Sequence, residues 1–537
     1  MSIRVNAKNE TPRVRGGRCG SPRLRAAVAA ITIASSTWLL APRASRADGD
    51  AAFKLEPPAM LEGQRRPRHL GRAALETAGI LLGGTVWYWR DLEFNARDWD
   101  LRWDAQSWRR KLTFESVRFD QNLFQTNAAS HARAGVAHYE VARGNGLGVG
   151  ASMGVTAATS LLWEFVIEFK EQPAINDFVV NNVAGLAIGE PFYQLGEFFQ
   201  RSRPTLLNRG LAGAFSPVAS MNDWVDDRRR PHEAYDALGF TREASHRFHL
   251  SGAYEKSTYD EITERRETGL SAGAELVTLP GYGKQGRFSR SIPAGSWTSI
   301  AGQLELDDRG IAGGALLSRV ALLGHYSQNF RNTPHGLRGL GTLVGVGTGF
   351  NYEDRGRPGA DDYMAVMNIA GPIFEMVGRS NGFRLRLAAE LYGDFAMVKS
   401  LAFEGRLPEM IGGIYHPGEY GGRIPGVLGA RGYYYALGFT AGSRLTLEYW
   451  GWDLGGELRT DHFDSIEGYD RFREEMIDEY DLVDKRTIAR AWIGLRPWKQ
   501  GPRLFSGMEW RFRRGTAESF VGEYRDLRVQ AGVSIPF

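Results

Sequence analysis

The last eleven residues of the chain, 527–537, alternate strictly between apolar and polar side chains. Counting back in twos from Phe537 gives an apolar face that ends on an aromatic ring, and the intervening positions give a polar face. Such alternation predicts a β-strand that has unlike environments on its two sides. We therefore expect the chain to end as a strand with one face in water and the other in hydrocarbon.

A terminal strand that closes on an apolar aromatic residue resembles the C-terminal signal of bacterial outer-membrane β-barrels. That resemblance implies a location in the outer membrane of a Gram-negative bacterium. It also implies two partners, which are outer-membrane lipid and, through Phe537, the barrel-insertion machinery. The mean hydropathy of −0.33 fits this prediction, because only alternate residues of a barrel strand face lipid.

The region 246–537 contains about twelve segments of alternating hydrophobicity, each near the length of a membrane strand. The clearest is 383–397, where Leu387 and Leu391 lie on one face and Arg386 on the other. We expect a short turn at 441–443 and long connections at 401–430 and 461–484. A soluble β-sandwich is the alternative, since its strands alternate too. The barrel is favoured by aromatic clusters such as Tyr433-Tyr434-Tyr435, which we interpret as interface girdles.

The first 47 residues read as a secretory signal peptide. An arginine-rich lead precedes an apolar core at 26–41, and small residues allow cleavage after Ala47. A single membrane anchor is the alternative. Residues 1–47 hold nine of the 66 basic and one of the 62 acidic side chains, so the mature chain has a net charge of about −4. We therefore expect no nucleic-acid partner. The lone cysteine, Cys19, leaves with the leader.

The predicted fold is a transmembrane antiparallel β-barrel of about 12 strands preceded by a small α-helical module, α+β overall. Helical periodicity covers 73–89, 130–143, 149–169 and 177–200, and we interpret 73–89 as a helix at the periplasmic interface or packed on its neighbours. The predicted domain boundaries are a signal peptide (1–47), a linker (48–69), a helical periplasmic or plug module (70–210), a connector (211–245) and the barrel (246–537).

The helical region carries a distinctive set of polar and aromatic residues. It resembles the uncharacterised bacterial family named domain of unknown function 3943, which pairs a short helical module with an outer-membrane barrel. Two positions depart from the family pattern, because Ala132 replaces its usual proline and Gly144 interrupts its Arg-Asn step. The resemblance implies location and architecture, since the family has no assigned activity. The matching residues are Asn127, His131, Tyr139, Ala142, Arg143, Asn145, Gly146, Trp163, Glu164, Glu168, Asn176 and Asp177.

Some of these residues could form a catalytic or metal site. Glu164 and Glu168 lie one helical turn apart, and His131 and His138 lie two turns apart, so each pair shares a helix face. Together with Asp177 they could form a divalent-metal or acid–base site that attacks an ester of an envelope lipid. The alternative is structural: Asn176 and Asp177 cap the helix that follows Pro173, and the other charges are buried partners.

Glycines are frequent between 144 and 189. We interpret Gly185 and Gly189, together with Gly146, Gly148, Gly150 and Gly154, as small residues that allow helices to approach closely. A phosphate-binding loop at 144–150 is the alternative. It is disfavoured because no strand precedes it and no Gly-Lys-Ser/Thr follows it.

Charged residues on the polar strand faces are expected to line the lumen. A basic ladder there would favour anions, whereas a cross-strand salt-bridge network would fill the barrel. We expect a structural or transport role, as a gated or plugged pore. An envelope lipid hydrolase is the alternative function, a non-enzymatic role is favoured, and no cofactor is expected beyond a possible divalent metal. The lumen residues are Arg384, Arg386, Glu390, Arg490, Glu509 and Arg511.

Overall fold

The computed structural model describes residues 66–90, 99–120, 122–228, 235–260, 262–357, 360–402, 433–466, 481–498, 501–517 and 520–536. The predicted signal peptide, most of the predicted linker, Cys19 and Phe537 lie outside these ranges. Over the described residues the chain forms seven α-helices. They are α1 (Leu70–Arg90), α2 (Ala105–Leu112), α3 (His131–Gly144), α4 (Val149–Leu162), α5 (Ile175–Arg201), α6 (Leu206–Phe215) and α7 (Pro217–Val225).

Thirteen strands follow the helices within the described ranges. They are β1 (Ser245–Tyr259), β2 (Thr263–Val277), β3 (Gly286–Ile292), β4 (Trp297–Asp307), β5 (Gly310–Thr333), β6 (Gly336–Arg357), β7 (Ala360–Ser380), β8 (Phe383–Lys399), β9 (Tyr433–Tyr449), β10 (Trp452–Ser465), β11 (Leu482–Leu495), β12 (Arg503–Ala517) and β13 (Phe520–Pro536). β3 and β4 both pair with β5, one beyond the other. They therefore form one interrupted strand, broken at Pro293.

The strands close into an antiparallel barrel of twelve. When β3 and β4 are counted as one strand, each strand pairs with its neighbours in sequence, and β13 returns to β1, where Leu250 lies opposite Ile535. A sandwich would consist of two separate sheets, so the closed order excludes that alternative. The predicted fold class is confirmed, and the first strand begins at Ser245.

Two-residue turns join β5 to β6, β7 to β8 and β9 to β10 at one end of the barrel, here called the turn rim. Asn381-Gly382 and Trp450-Gly451 both have positive φ at each position, as tight hairpin turns require. The long connections β8–β9 and β10–β11 lie at the opposite end, here called the loop rim, and most of their residues are outside the described ranges.

The turn predicted at 441–443 is wrong, because β9 passes straight through it. A Cβ at Gly442 would lie 2.9 Å from Oε1 of Glu390, which projects from the neighbouring strand. Gly442, which suggested a turn in the sequence, therefore leaves space within a strand for the carboxylate of Glu390.

The two faces of each strand differ as the alternation predicts. In β8, Arg386 and Glu390 bind residues of distant strands and so face inward, while Leu391 on the opposite face is 46% exposed. A belt of exposed apolar side chains continues around the outside, as expected of a barrel surrounded by lipid. It includes Tyr254, Leu270, Val344, Leu445, Leu454, Leu504, Met508, Val529, Val533 and Ile535.

The helices pack on the outer wall of this barrel. Eight outward residues on consecutive strands lie in register with one another, and we call this row the helix seat. Seven of its members pack in one apolar cluster with side chains of α5. The eighth, Ser318, is fully buried. The helix seat consists of Phe248, Ala274, Ile300, Ser318, Phe350, Met367, Phe395 and Leu437.

Helix α5 crosses the wall along the helix seat. Its 27 residues correspond to about 40 Å, and eight adjacent strands span about 34 Å. Near its C-terminal end, Phe198 packs on Phe248 of β1 with ring centroids 5.3 Å apart. Near its start, the segment that contains Phe119 pairs with Ala174, the residue before the helix. There the ring of Phe119 stacks on that of Phe395 of β8, with centroids 5.9 Å apart. The helix therefore runs from the loop-rim end of β8 to the turn-rim end of β1.

Close backbone contact joins α3 to α5. A Cβ at Gly185 would lie 2.9 Å from the carbonyl oxygen of Gly135, and one at Gly189 would lie 2.8 Å from the ring of Tyr139. These two glycines thus allow the close approach that the sequence suggested. The same interpretation is wrong for Gly148, Gly150 and Gly154, where an added Cβ meets nothing within 4 Å.

Candidate functional site

The lumen is bridged by ion pairs between strands on opposite walls. Arg511 of β12 binds Glu353 of β6, six strands away, and Arg486 of β11 reaches the same carboxylate at 2.7 Å. Arg386 of β8 binds Glu275 of β2 at 2.6 Å, five strands away. Side chains can only meet in this way if little open space separates the walls at this level.

Chain segments fill both ends of the lumen. At the turn rim, the β2–β3 connection folds inward, where the hydroxyl of Tyr282 donates to Oε1 of Glu375 at 2.9 Å. Apolar residues of several strands surround this segment. At the loop rim, Ala402 packs with Phe463 and Leu482 among inward-facing residues. The charged middle of the lumen therefore lies between two apolar layers.

All six predicted lumen residues lie on inward faces, and each is paired. Arg384 lies 3.4 Å from Glu448, and Arg490 lies 2.6 Å from Glu509. Glu509 also lies 3.1 Å from Arg511. The arrangement is a cross-strand network and not an unpaired basic ladder. An anion preference has no support from this geometry.

A second polar site lies near the loop rim. It joins the barrel wall to the helical domain, which consists of α1 to α7. Oδ1 of Asp120 accepts hydrogen bonds from the amides of Asn127 and Asn176 and from the hydroxyl of Tyr435, at 2.5, 3.0 and 3.1 Å. Oδ2 accepts from Asn122 at 2.6 Å. We call this set the junction cluster. It comprises Asp120, Asn122, Asn127, Asn176, Tyr433 and Tyr435.

The tyrosines of the junction cluster were predicted to form an interface girdle, and that prediction is wrong. The amide of Asn127 donates to the hydroxyls of Tyr433 and Tyr435 at 3.0 and 2.7 Å, so both rings are buried under the helical domain. Tyr434 faces the lumen, where it donates to Asp484 at 2.7 Å. Strand alternation sends the middle tyrosine to the opposite side of the wall from its neighbours.

His131 and Asp177 lie beside the junction cluster. Nε2 of His131 is 3.2 Å from Oδ2 of Asp177, and potential ligand atoms of Asp120, His131 and Asp177 lie within 4.8 Å of one another. Burial lowers the pKa of His131. Burial, together with the carboxylates of Asp120 and Glu164, raises the pKa of Asp177 well above its ordinary value. A bound cation would favour the ionised form of this carboxyl.

Glu164 and Glu168 do not join that group through any hydrogen bond. Glu164 is buried, and its Oε2 accepts from the backbone N–H of Ala174 at 2.8 Å. The backbone carbonyls of both glutamates accept from Nζ of Lys111 at 2.9 Å. Trp163 packs against α1, where it faces Tyr88 at 6.2 Å. Of the four suspected catalytic residues, the geometry therefore pairs only His131 with Asp177.

The capping role proposed for Asn176 and Asp177 is wrong. Helix α5 is capped by Ala174, which makes no side-chain capping bond. The amide of Asn176 instead donates to Oδ1 of Asp177 at 2.6 Å and to Asp120. The first turn of α5 is thus used to build the polar site.

The remaining residues of the resemblance hold helices together around a buried carboxylate. Glu190 accepts from the hydroxyl of Tyr139 at 2.7 Å, from Nε of Arg143 at 2.8 Å and from Gln194 at 2.7 Å. Asn145 ties α3 to α1 by accepting from Arg72 at 2.7 Å. These contacts assign Tyr139, Arg143 and Asn145 to packing.

The sequence analysis did not identify Asp120 as a site residue. It also did not identify the partners of the residues that carry the family resemblance. Asp120 and Asn122 are polar residues between Phe119 and Phe124, an interruption of an apolar stretch that could have drawn attention. Nothing in the sequence linked Tyr435 to Asn127, because 308 residues separate them. That contact exists only because the helices lie on the outer wall.

Comparison with known proteins locates the family signal in this helical domain. The family model described as domain of unknown function (DUF3943) matches residues 116–218. No curated protein matches the chain. Among solved structures, the translocator domain of the autotransporter NalP from Neisseria meningitidis is similar at 11% identity and a TM-score of 0.20, covering 54% of this chain and 88% of that one.

Two other solved barrels are similar to the same extent. OprD from Pseudomonas aeruginosa has 10% identity and a TM-score of 0.19, covering 55% of this chain and 94% of that one. OmpT from Vibrio cholerae, lacking loop L8, has 9% identity and a TM-score of 0.18, covering 55% and 100%. Residues 116–218 of this chain therefore match the family described as domain of unknown function (DUF3943), and the matched segment precedes a closed antiparallel β-barrel.

Proposed function

We propose that this protein is a structural component of the outer membrane: a barrel closed to solutes that holds the family domain on its outer wall. The ion pairs of Glu353 with Arg486 and Arg511 carry the proposal, because they join opposite walls of the lumen. Each is buried, so breaking one pair leaves an uncompensated charge. A path for solutes would need several such pairs to open together.

The proposal includes the route and the partners expected from the sequence. Residues 1–47 serve as the export signal, and the last strand is presented to the barrel-insertion machinery. Outer-membrane lipid surrounds the exposed apolar belt, of which Val529 and Ile535 of β13 are members. Gating and anion selectivity are not part of the proposal, since every predicted lumen arginine has a carboxylate partner.

Planar-bilayer recording tests whether the barrel is closed. Purified full-length protein is expected to give no steady conductance at neutral pH. The double variant Glu353→Ala/Arg511→Ala removes both bridges made by Glu353 and should give brief openings without steady conductance, because the segments at the two rims remain in place. Arg514→Ala is the matched control, because its pair with Glu523 is exposed on both sides, and it should stay silent. Steady ion-selective steps from the wild-type protein would contradict the proposal.

A second candidate function rests on the group formed by Asp120, His131 and Asp177. One imidazole and two carboxylates suit a divalent cation or an acid–base pair acting on an ester of an envelope lipid. The hydrogen bonds already made to Asp120 argue for a structural role of that carboxylate. This candidate predicts lipid turnover that His131→Ala and Asp177→Asn both abolish. Absence of turnover with added Zn²⁺ or Mn²⁺ would end it.

A further inference from the structure

The outward surface of the helical domain is as apolar as the barrel belt. On α1, Leu75, Leu82 and Val86 are each about two-thirds exposed or more. The outer stripe of α4 and the turn after it consists of Ala151, Gly154, Ala158, Leu161, Leu162 and Val166. A water-soluble domain rarely exposes such a continuous apolar surface. Some apolar phase must therefore cover α1 and α4.

The dimensions of these helices match a membrane. The segment Val149–Ile167 is long and apolar enough to cross a membrane, since its 19 residues have a mean hydropathy of 1.2. Only 28% of this segment is buried inside the protein. Its length of about 28 Å compares with about 30 Å for a hydrocarbon core. Its only charged side chain, Glu164, is buried on the inner side.

Among the described residues only Val149–Ile167 is apolar enough to cross a membrane, but α1 also has a long uncharged span. Its charged residues stand at its two ends: Arg72 and Glu76 near the start, and Arg90 at the finish. The span between Thr77 and Trp89 carries no charge. Aromatic rings gather at its C-terminal end, where Trp89 lies 5.3 Å from Trp99, and tryptophan is enriched where membranes meet water.

The position of the domain supplies the remaining step. Helix α5 lies along the helix seat, and the helix seat crosses the outer wall from one rim to the other. Exposed apolar residues continue on both sides of it, for example Leu304 on β4 and Leu391 on β8. The helical domain is therefore held at the level of the barrel's own lipid-facing belt.

We infer that α1 and α4 face the hydrocarbon of the same bilayer that surrounds the barrel. The helical domain then forms a membrane-embedded flank of the barrel, neither in the lumen nor in the periplasm. This inference rests on the proposed membrane location of the barrel. The occupant of the exposed helix faces is lipid, and a second copy of the chain or a soluble partner is the competing outcome.

Quenching by brominated lipid tests the inference in the full-length protein. Single cysteines are introduced on a Cys19→Ser background at Leu82 and Ala158, and each is labelled with a fluorophore. Val529→Cys on β13 is the lipid-facing reference, and Asp308→Cys in the exposed β4–β5 turn is the water-facing reference. The proteins are reconstituted in phosphatidylcholine vesicles with brominated acyl chains.

The expected result is a several-fold loss of fluorescence at Leu82, Ala158 and Val529, with none at Asp308. Quenching at Val529 without quenching at Leu82 and Ala158 would overturn the inference while leaving the membrane barrel intact. Unquenched helix positions that crosslink between molecules would overturn it in favour of a second copy. Failure of Val529 to be quenched would refute the barrel's membrane location, and the inference with it.

Discussion

At the scale of single residues, the buried carboxylate of Glu190 shows what the sequence could and could not reveal. Tyr139 and Arg143 stood out through a family resemblance, yet their common partner lies 51 and 47 residues away on another helix. Spacing along one helix predicts which side chains share a face, but the partner of a face depends on how helices pack. The roles of these residues therefore emerged only from the fold.

Replacing Glu190 with alanine should destabilise the helical domain strongly. Glu190 is fully buried and the side chain of its partner Arg143 is only 13% exposed, and removing one partner of a buried ion pair costs about 3–5 kcal/mol. Glu243→Ala is the control, because its pair with Arg201 is partly exposed and should be worth about 0–1 kcal/mol. Urea unfolding in detergent, followed by tryptophan fluorescence, measures both. Equal losses for the two variants would show that the Glu190 pair has no special weight.

At the scale of elements, the alternating pattern correctly predicted the apolar and polar faces of each strand. It did not predict whether helices or lipid contact the apolar face. Phe395, Met397 and Leu391 share the apolar face of β8, yet Leu391 is exposed while Phe395 and Met397 are covered by helices. Hydrocarbon and the apolar side of a helix select the same residue types, so the alternation cannot separate them. The same ambiguity led the paired tyrosines of β9 to be interpreted as an interface girdle.

Glycines on two helices should respond to alanine in opposite directions. Gly185→Ala is expected to destabilise the protein, because the added methyl would press on the backbone of α3 at Gly135. Gly154→Ala meets nothing within 4 Å and should stabilise α4 by about 0.5–1 kcal/mol through helix propensity. Both free energies of unfolding are measured as for Glu190. A stabilising Gly185→Ala would mean that the two helices are not in close contact.

At the scale of the whole molecule, closure of the barrel was predictable and the place of the helical domain was not. Strand number and alternation follow from local sequence, since each strand pairs with its neighbour along the chain. The expectation for the helices was the lumen or the periplasm, and the structure places them on the outer wall. The ion pairs that fill the lumen leave no room for helices at that level. Those ion pairs join strands that are far apart in sequence, so the local sequence pattern of either strand cannot predict them.

This arrangement predicts that the barrel can assemble without its helical domain. The helix seat carries no charged side chain, so lipid can replace the helices along it without leaving a buried charge. The exposed hydroxyls would include that of Ser318 in the helix seat and those of Tyr433 and Tyr435. The two tyrosines lie near the loop rim, where amphipathic rings tolerate the membrane interface. A chain starting at residue 245 should therefore refold in detergent with β-rich circular dichroism and heat-modifiable electrophoretic migration. The same chain carrying Met367→Asp places a carboxylate in the lipid-facing wall and should refold poorly. Failure of the unmodified barrel to refold, under conditions in which the full-length protein does, would mean that the helices are needed to close it.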